Sequence, residues 1–313
     1  MAITEIQELA ASQGGVVVTT QAGRLGADRN ALRRAVSRGE LLHLGRSVYA
    51  LPSHVDTEAS EAEQAEQRHR PLGRGLLVVY PDAVLAGRTA VVAHGLPVGP
   101  AKLGRARLER PVPRQVMTQL ATIRPTSRPS VTTDVGPAVP VAAAVVQTAS
   151  DDGVLPGVVA ADAALHSGLL SAEELAAEVG RVDGIAGSGA ACAMLHHCDG
   201  RSESVGESRL RVMCSFWGIP TVPQVEICDG GALVARADLQ IEGTTVLLEF
   251  DGVVKYADGG VPALVSEKRR EDRLRALGYV VVRVTWSDLS RPSLLHARIR
   301  RAVRTSQRTP AAR

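Results

Sequence analysis

A chain of 313 residues is long enough for two or three domains and for cores that need no disulfide or metal staple. Hydrophobic residues at 45% and charged residues at 22% are ordinary for a globular protein, while aromatics at 3% leave the cores to aliphatic packing. A net charge of +3 excludes nucleic-acid binding by bulk charge, so such a role must come from where the arginines cluster.

The start of the chain, residues 1–8, is acidic and amphipathic and lacks the basic-then-apolar order of a secretory signal. No stretch offers the ~18 uninterrupted apolar residues of a membrane span; residues 139–149 are too few and are interrupted by Pro140 and Gln147. A cytoplasmic protein with no membrane partner and no nucleotide cofactor is the expectation. Cys192, Cys198, Cys214 and Cys228 lack the paired spacing of a zinc site, so they, with His196 and His197, read as structural or surface residues.

The first fifty residues read as three helices and a hairpin. Thr4 can cap a helix over residues 5–12, striped by Ile6, Leu9 and Ala10 and stopped at Gly14-Gly15. A second short helix fits residues 20–25, Gly26 turns, and Asp28 caps a third helix that runs to Gly39. Helical spacing buries Leu32, Ala35 and Val36 and turns Arg29, Asn30, Arg33, Arg34, Ser37 and Arg38 outward. Residues 41–51 then read as two short strands turning at Gly45 beside Arg46, which completes a winged helix-turn-helix.

The run from Arg34 to Leu51, with Arg38-Gly39-Glu40-Leu41 leading into Gly45-Arg46-Ser47-Val48-Tyr49-Ala50, resembles the winged-helix module of AbiEi-type antitoxins. The resemblance implies operator DNA as a partner, contacted by Arg29, Asn30, Arg33 and Arg34 with Arg38 and Arg46 beside them, and a cognate toxin as a possible protein partner. Physically, such a helix can enter the major groove, arginine reaching guanine edges or phosphates and Asn30 pairing with adenine.

Residues 57–70, rich in Glu, Ala, Gln and Arg, read as a surface helix or linker with almost no apolar face. Residues 87–97 suggest a short, mostly buried helix, residues 108–145 short strands broken by Pro and Gly, and residues 158–167 and 171–179 two helices. Ser171 with Glu174 forms a capping box for the second of these. His94, alone before a glycine, reads as a capping or core residue.

From Ser204 the pattern sharpens. Residues 205–216 read as a helix with Leu210, Met213 and Cys214 inward, Glu207 in its first turn and Gly218 at its stop. Residues 233–241 and 244–251 read as a strand pair joined by a two-residue hairpin at Glu242-Gly243. That register sets Asp238 opposite Leu247 with Glu249 diagonal to it, and alternation puts Asp251 on the same face. Three acids on one face repel one another unless a cation compensates, and Mg²⁺ suits oxygen ligands, with Mn²⁺ as the alternative. Residues 279–285 read as a buried strand, with Trp286 as a core plug at its end.

Gly206-Glu207-Ser208-Arg209, Asp238, Glu249-Phe250-Asp251-Gly252, Lys255-Tyr256, Glu267-Lys268-Arg269-Arg270 and Leu274 through Tyr279 resemble the Vsr-like branch of the PD-(D/E)XK restriction-endonuclease-like superfamily. The resemblance implies a mixed sheet flanked by helices and Mg²⁺-dependent DNA cleavage. By position Glu207 becomes the helix acid, Asp238 and Glu249 the metal ligands, and Asp251 the acid where many members have lysine. Lys255 stands where Vsr-like proteins commonly show histidine, and as a lysine it could orient water or neutralise developing charge. Lys268, Arg269 and Arg270, with further arginines to the end of the chain, suit a phosphate backbone.

The expected organisation is therefore an α/β multidomain chain: a winged helix-turn-helix over residues 1–54, a mixed α/β middle region over 55–200, and a nuclease-like domain over 201–313. The leading expectation is a Mg²⁺-dependent DNA endonuclease. The alternative is an autorepressor or type IV antitoxin whose nuclease-like domain is inactive.

Overall fold

The computed structural model describes residues 2–52, 56, 60–99, 101–126, 128–252 and 260–307. Two compact units divide the chain, Met1–His196 and His197–Arg313.

The first unit begins with α1 (Ala2–Ser12), β1 (Val16–Val18), α2 (Thr19–Arg24), α3 (Arg29–Ser37), β2 (Leu42–Gly45) and β3 (Val48–Ala50). This is a winged helix, with a three-stranded sheet in the order β1-β3-β2. The strand β1 was not anticipated from sequence: three valines in a row carry no alternation, and all three are buried because β1 pairs with β3 inside the module. Ile6, Ala10, Leu32, Ala35 and Leu41 form the core that sets the tilt of α3. Asp28 begins α3 by accepting the Ala31 N–H at 2.7 Å, and Gly26 makes the preceding turn at φ 81°.

The chain continues through α4 (Glu61–Val79), β4 (Val84–Leu85), α5 (Gly87–Ala93), β5 (Ala106–Arg110), β6 (Val116–Met117), β7 (Ala121–Pro125), β8 (Val131–Thr132) and β9 (Pro137–Ala138). Four helices close the unit: α6 (Val141–Asp152), α7 (Val154–His166), α8 (Ala172–Arg181) and α9 (Ser188–His197). The strands form a mixed six-stranded sheet in the order β6-β7-β5-β4-β9-β8.

Two expectations for this region are corrected. The helix read as a polar linker ending near residue 70 runs on through Pro71 to Val79, and its second half buries Leu72, Gly73, Gly75 and Leu76. A Cβ on Gly75 would lie 2.3 Å from Val48 of the wing, so that glycine lets α4 pack directly on the winged-helix sheet. Residues 141–145, read as part of a strand region, open α6 behind Pro140. An ionic cluster ties α5 and the sheet to α6: Arg88 of α5 pairs with Asp152, and Arg124 and Arg107 of the sheet reach Asp151 at 2.6 and 3.5 Å.

The second unit contains α10 (Val205–Phe216), β10 (Thr221–Asp229), β11 (Ala232–Ile241), β12 (Val246–Asp251), α11 (Gly260–Ala276), β13 (Val280–Thr285), α12 (Trp286–Leu289) and α13 (Pro292–Ser306). Its four-stranded sheet runs in chain order; β10-β11-β12 is antiparallel and β13 lies parallel to β12. Leu210 and Cys214 of α10 and Leu295, Ile299 and Ala302 of α13 pack with Leu239, Val246, Leu248 and Val284. A second cluster gathers Leu274 of α11 with Ile227, Ala235, Ala237 and Leu247. Alternation along β12 thus sends Val246 and Leu248 to the α10–α13 core and Leu247 toward α11. Trp286 opens α12 and meets Phe250 edge-on with ring centroids 4.9 Å apart.

The hairpin between β11 and β12 is corrected as well. Leu239 pairs with Leu248 and Gln240 with Leu247, so the connection is the four residues 242–245. The register differs from the two-residue hairpin by two positions. Because that shift is even, every side chain keeps its face.

Candidate functional site

On α3, Arg29, Asn30, Arg33, Arg34 and Ser37 are all exposed, and the Arg38 cap follows them. They span the arc opposite buried Leu32 and Ala35. The same periodicity that buries one side of α3 therefore presents these five polar and basic side chains on the other. Arg46 is exposed in the turn between β2 and β3, where Gly45 (φ 149°) and Ser47 (φ 69°) supply the positive dihedrals. Arg38 lies 3.9 Å from Glu40 in a pair too exposed and too long to hold it.

In the second unit, Asp238, Glu249, Phe250 and Asp251 line one cleft of about 260 Å³ together with Arg236, Arg270 and Arg283. The paired register ends at Leu239 and Leu248, one residue short of Asp238 and Glu249, which line the same cleft. Asp238 Oδ2 accepts the Phe250 N–H at 2.7 Å, a side chain standing in for a ladder carbonyl. Burial pushes the Asp238 carboxyl up to about 6; the Phe250 amide opposes this, and the charges of Glu207, Glu249 and Glu203 add to it. Glu249 Oε2 accepts from Arg270 at 3.1 Å, whereas its Oε1 is buried with no hydrogen-bond partner among the described residues.

Glu207 is not among the residues lining the cleft. It is 7% exposed and serves the start of α10: its carboxylate accepts from the Glu203 N–H at 3.0 Å, the Ser204 hydroxyl at 2.8 Å and the Gln224 amide at 3.0 Å. Its own N–H donates to Ser204 Oγ at 3.2 Å, so Ser204 is the N-cap of α10. Lys255 lies outside the described residues. Lys268 and Arg269 are exposed on α11, while Arg270 turns to Glu249. Among the described residues no three His, Cys, Asp or Glu side chains converge as a metal-holding group.

Arg283 in the cleft and Gln224 outside its lining are residues that sequence reasoning did not assign to the site. Arg283 is the parallel-strand partner of Glu249, a pairing made across the intervening α11 and so invisible to local periodicity. Gln224, opposite Asp238 in the β10–β11 ladder, takes φ 55° and reaches Glu207; no residue-type signal marks it.

Residues 5–52 match a family model described as a transcriptional regulator, AbiEi antitoxin. The match spans the winged helix and does not extend into the second unit. Two uncharacterized proteins of Mycobacterium tuberculosis, from strains CDC 1551 / Oshkosh and H37Rv, are each 31% identical over 143 residues, covering 45% of this chain and 52% of theirs. The matched region spans about half the length of those relatives. Among the described residues no helix is long and apolar enough to cross a membrane.

Proposed function

We propose that the chain is a DNA-binding transcriptional regulator that reads duplex DNA with α3 and touches the backbone with Arg46 at the wing. One observation carries this function: within the segment matching the regulator family, the outward arc of the helix-turn-helix's second helix is Arg29, Asn30, Arg33 and Arg34. Arginine forks suit guanine edges and phosphates, and the Asn30 amide suits adenine. The family description also makes a cognate toxin the protein partner to look for. The test is fluorescence anisotropy on duplexes from the region upstream of the chain's own coding sequence. Replacing Arg29, Arg33 and Arg34 together by alanine should weaken binding at least about tenfold, and Asn30→Ala should reduce discrimination against changed bases by about 1–3 kcal/mol. Unaltered binding by the triple variant rejects α3 as the reading helix.

A second function, Mg²⁺-dependent cleavage of DNA, is favoured by the buried Glu249 Oε1, which has no hydrogen-bond partner among the described residues, in a cleft shared with Asp238 and Asp251. These hard oxygen donors fit Mg²⁺ or Mn²⁺ by type, and Mg²⁺ keeps several of its waters, so few carboxylates suffice. Asp238 and Glu249 would hold the ion with Asp251 beside them; bound there it would acidify a water and stabilise a departing phosphate oxygen. Arg270 orients Glu249, and Phe250 fixes Asp238 through its amide. Nicking of supercoiled DNA with Mg²⁺, Mn²⁺ or chelator tests it; no metal-dependent nicking, or nicking that survives Asp238→Ala and Glu249→Ala, rejects it.

A further inference from the structure

We propose that the outward face of α13 is a second DNA contact, one that grips the phosphate backbone without regard to sequence. The inference rests on the DNA-binding function above and adds a surface in the other unit of the chain.

The helix α13 carries no acidic residue in its fifteen positions. At 100° per residue its buried positions, Leu295, Ile299 and Ala302, occupy one side, and Ala297, Arg300, Arg301 and Arg304 occupy the diametrically opposite arc. Arg300, Arg301 and Arg304 are exposed, and among the described residues no acidic side chain pairs with them. Arg298, one step around the helix, differs: it is held by Asp288 at 2.9 Å and donates to the Arg283 carbonyl at 2.8 Å. The helix thus separates one arginine that serves packing from three that do not. With a rise of ~1.5 Å per residue, Arg300 and Arg304 stand ~6 Å apart along the axis, so three guanidinium forks crowd one and a half turns. Guanidinium groups bind phosphate oxygens in pairs of parallel hydrogen bonds, and a duplex offers a dense row of such oxygens.

An anionic membrane is the competing polyanion. A helix that lies on a membrane inserts its apolar face, and here that face is committed to the core with Leu239, Leu248 and Val284. Favourable placement of cations near a helix C-terminus is the competing structural role, and it applies with most force to Arg304 in the last turn.

The experiment uses the full chain, a ~40-base-pair random-sequence duplex and a salt series, read by anisotropy. For Arg300→Gln/Arg301→Gln/Arg304→Gln the salt slope should fall by roughly 2–3, about 0.9 per lost phosphate contact, and affinity should fall at least about tenfold on every duplex. Preference for upstream over random DNA should persist, because backbone contacts carry no sequence information. An unchanged slope and affinity in a wild-type chain that does bind DNA overturns the α13 contact and leaves the α3 function standing. No DNA binding by the wild-type chain overturns both. Weaker binding accompanied by a lower thermal midpoint assigns these arginines to the helix end and overturns the contact, as does binding to phosphatidylserine vesicles that the same substitutions abolish while DNA binding is kept.

Discussion

Gly206→Ala sets two effects of opposite sign against each other at the start of α10. In an exposed helix alanine is favoured over glycine by about 1 kcal/mol. Here a Cβ on Gly206 would lie 2.0, 2.2 and 2.3 Å from three ring atoms of Phe250, distances no real contact tolerates. The ring cannot simply swing away, because it packs against Trp286 and its residue's amide is bonded to Asp238. Overpacking of this kind costs about 1–3 kcal/mol, so the net effect is a loss of about 1 kcal/mol despite the better helix former. That corresponds to a fall in Tm of roughly 4 °C for a domain of somewhat more than 100 residues. The assay is tryptophan fluorescence during thermal unfolding: the chain has two tryptophans, Trp217 and Trp286, and both pack on the second unit's core. Pairing with Phe250→Leu in a double-mutant cycle should show coupling of at least about 0.5 kcal/mol. A Tm that rises in Gly206→Ala, or strict additivity with Phe250→Leu, would refute the close approach as the reason for glycine.

Asp152→Ala leaves Arg88 buried without its carboxylate and should destabilise the first unit by about 3–5 kcal/mol, seen as a lower urea midpoint by circular dichroism with the tryptophan transition unmoved. His69 is buried and its pKa is lowered to about 4 from 6.5, chiefly by burial and then by the Arg88 charge. The unfolded chain takes up this proton first, so stability should decline as pH falls from about 6.5 toward 4, by up to about 3 kcal/mol, and His69→Gln should flatten that decline. Burial pushes the Cys214 thiol up to about 12, whereas Cys192 and Cys228 are exposed. Mass spectrometry after brief alkylation near neutral pH should therefore find label on Cys192 and Cys228 and on Cys214 only in denaturant.

The winged helix was legible because its signals are local. Asp28 before a helix-forming run, Gly26 in the turn, and Leu32 and Ala35 at helical spacing are short-range facts, and the same spacing that buries one arc exposes Arg29, Asn30, Arg33 and Arg34. The shared face of Asp238, Glu249 and Asp251 was legible for the same reason: strand alternation has a period of two, and the hairpin error was an even number.

Other features depend on residues far apart in the chain. The buried pairing of Arg88 with Asp152 joins residues 64 positions apart, and nothing in residue type alone marks which arginine will be desolvated. Glu207 shows the difference most directly. Its place in the first turn of α10 followed from the sequence, as did its closeness to the Glu203 amide and Ser204; its third partner, Gln224, follows from the path of β10. The sequence by itself determined which residues could form helices and strands and which faces they would bury, because those depend on periodicities of 3.6 and 2. Only the tertiary structure decided which charges meet: Arg270 reaches Glu249 from α11 at 3.1 Å, and the parallel pairing of β12 with β13 sets Arg283 beside Glu249, where packing, and not sequence spacing, sets the distance.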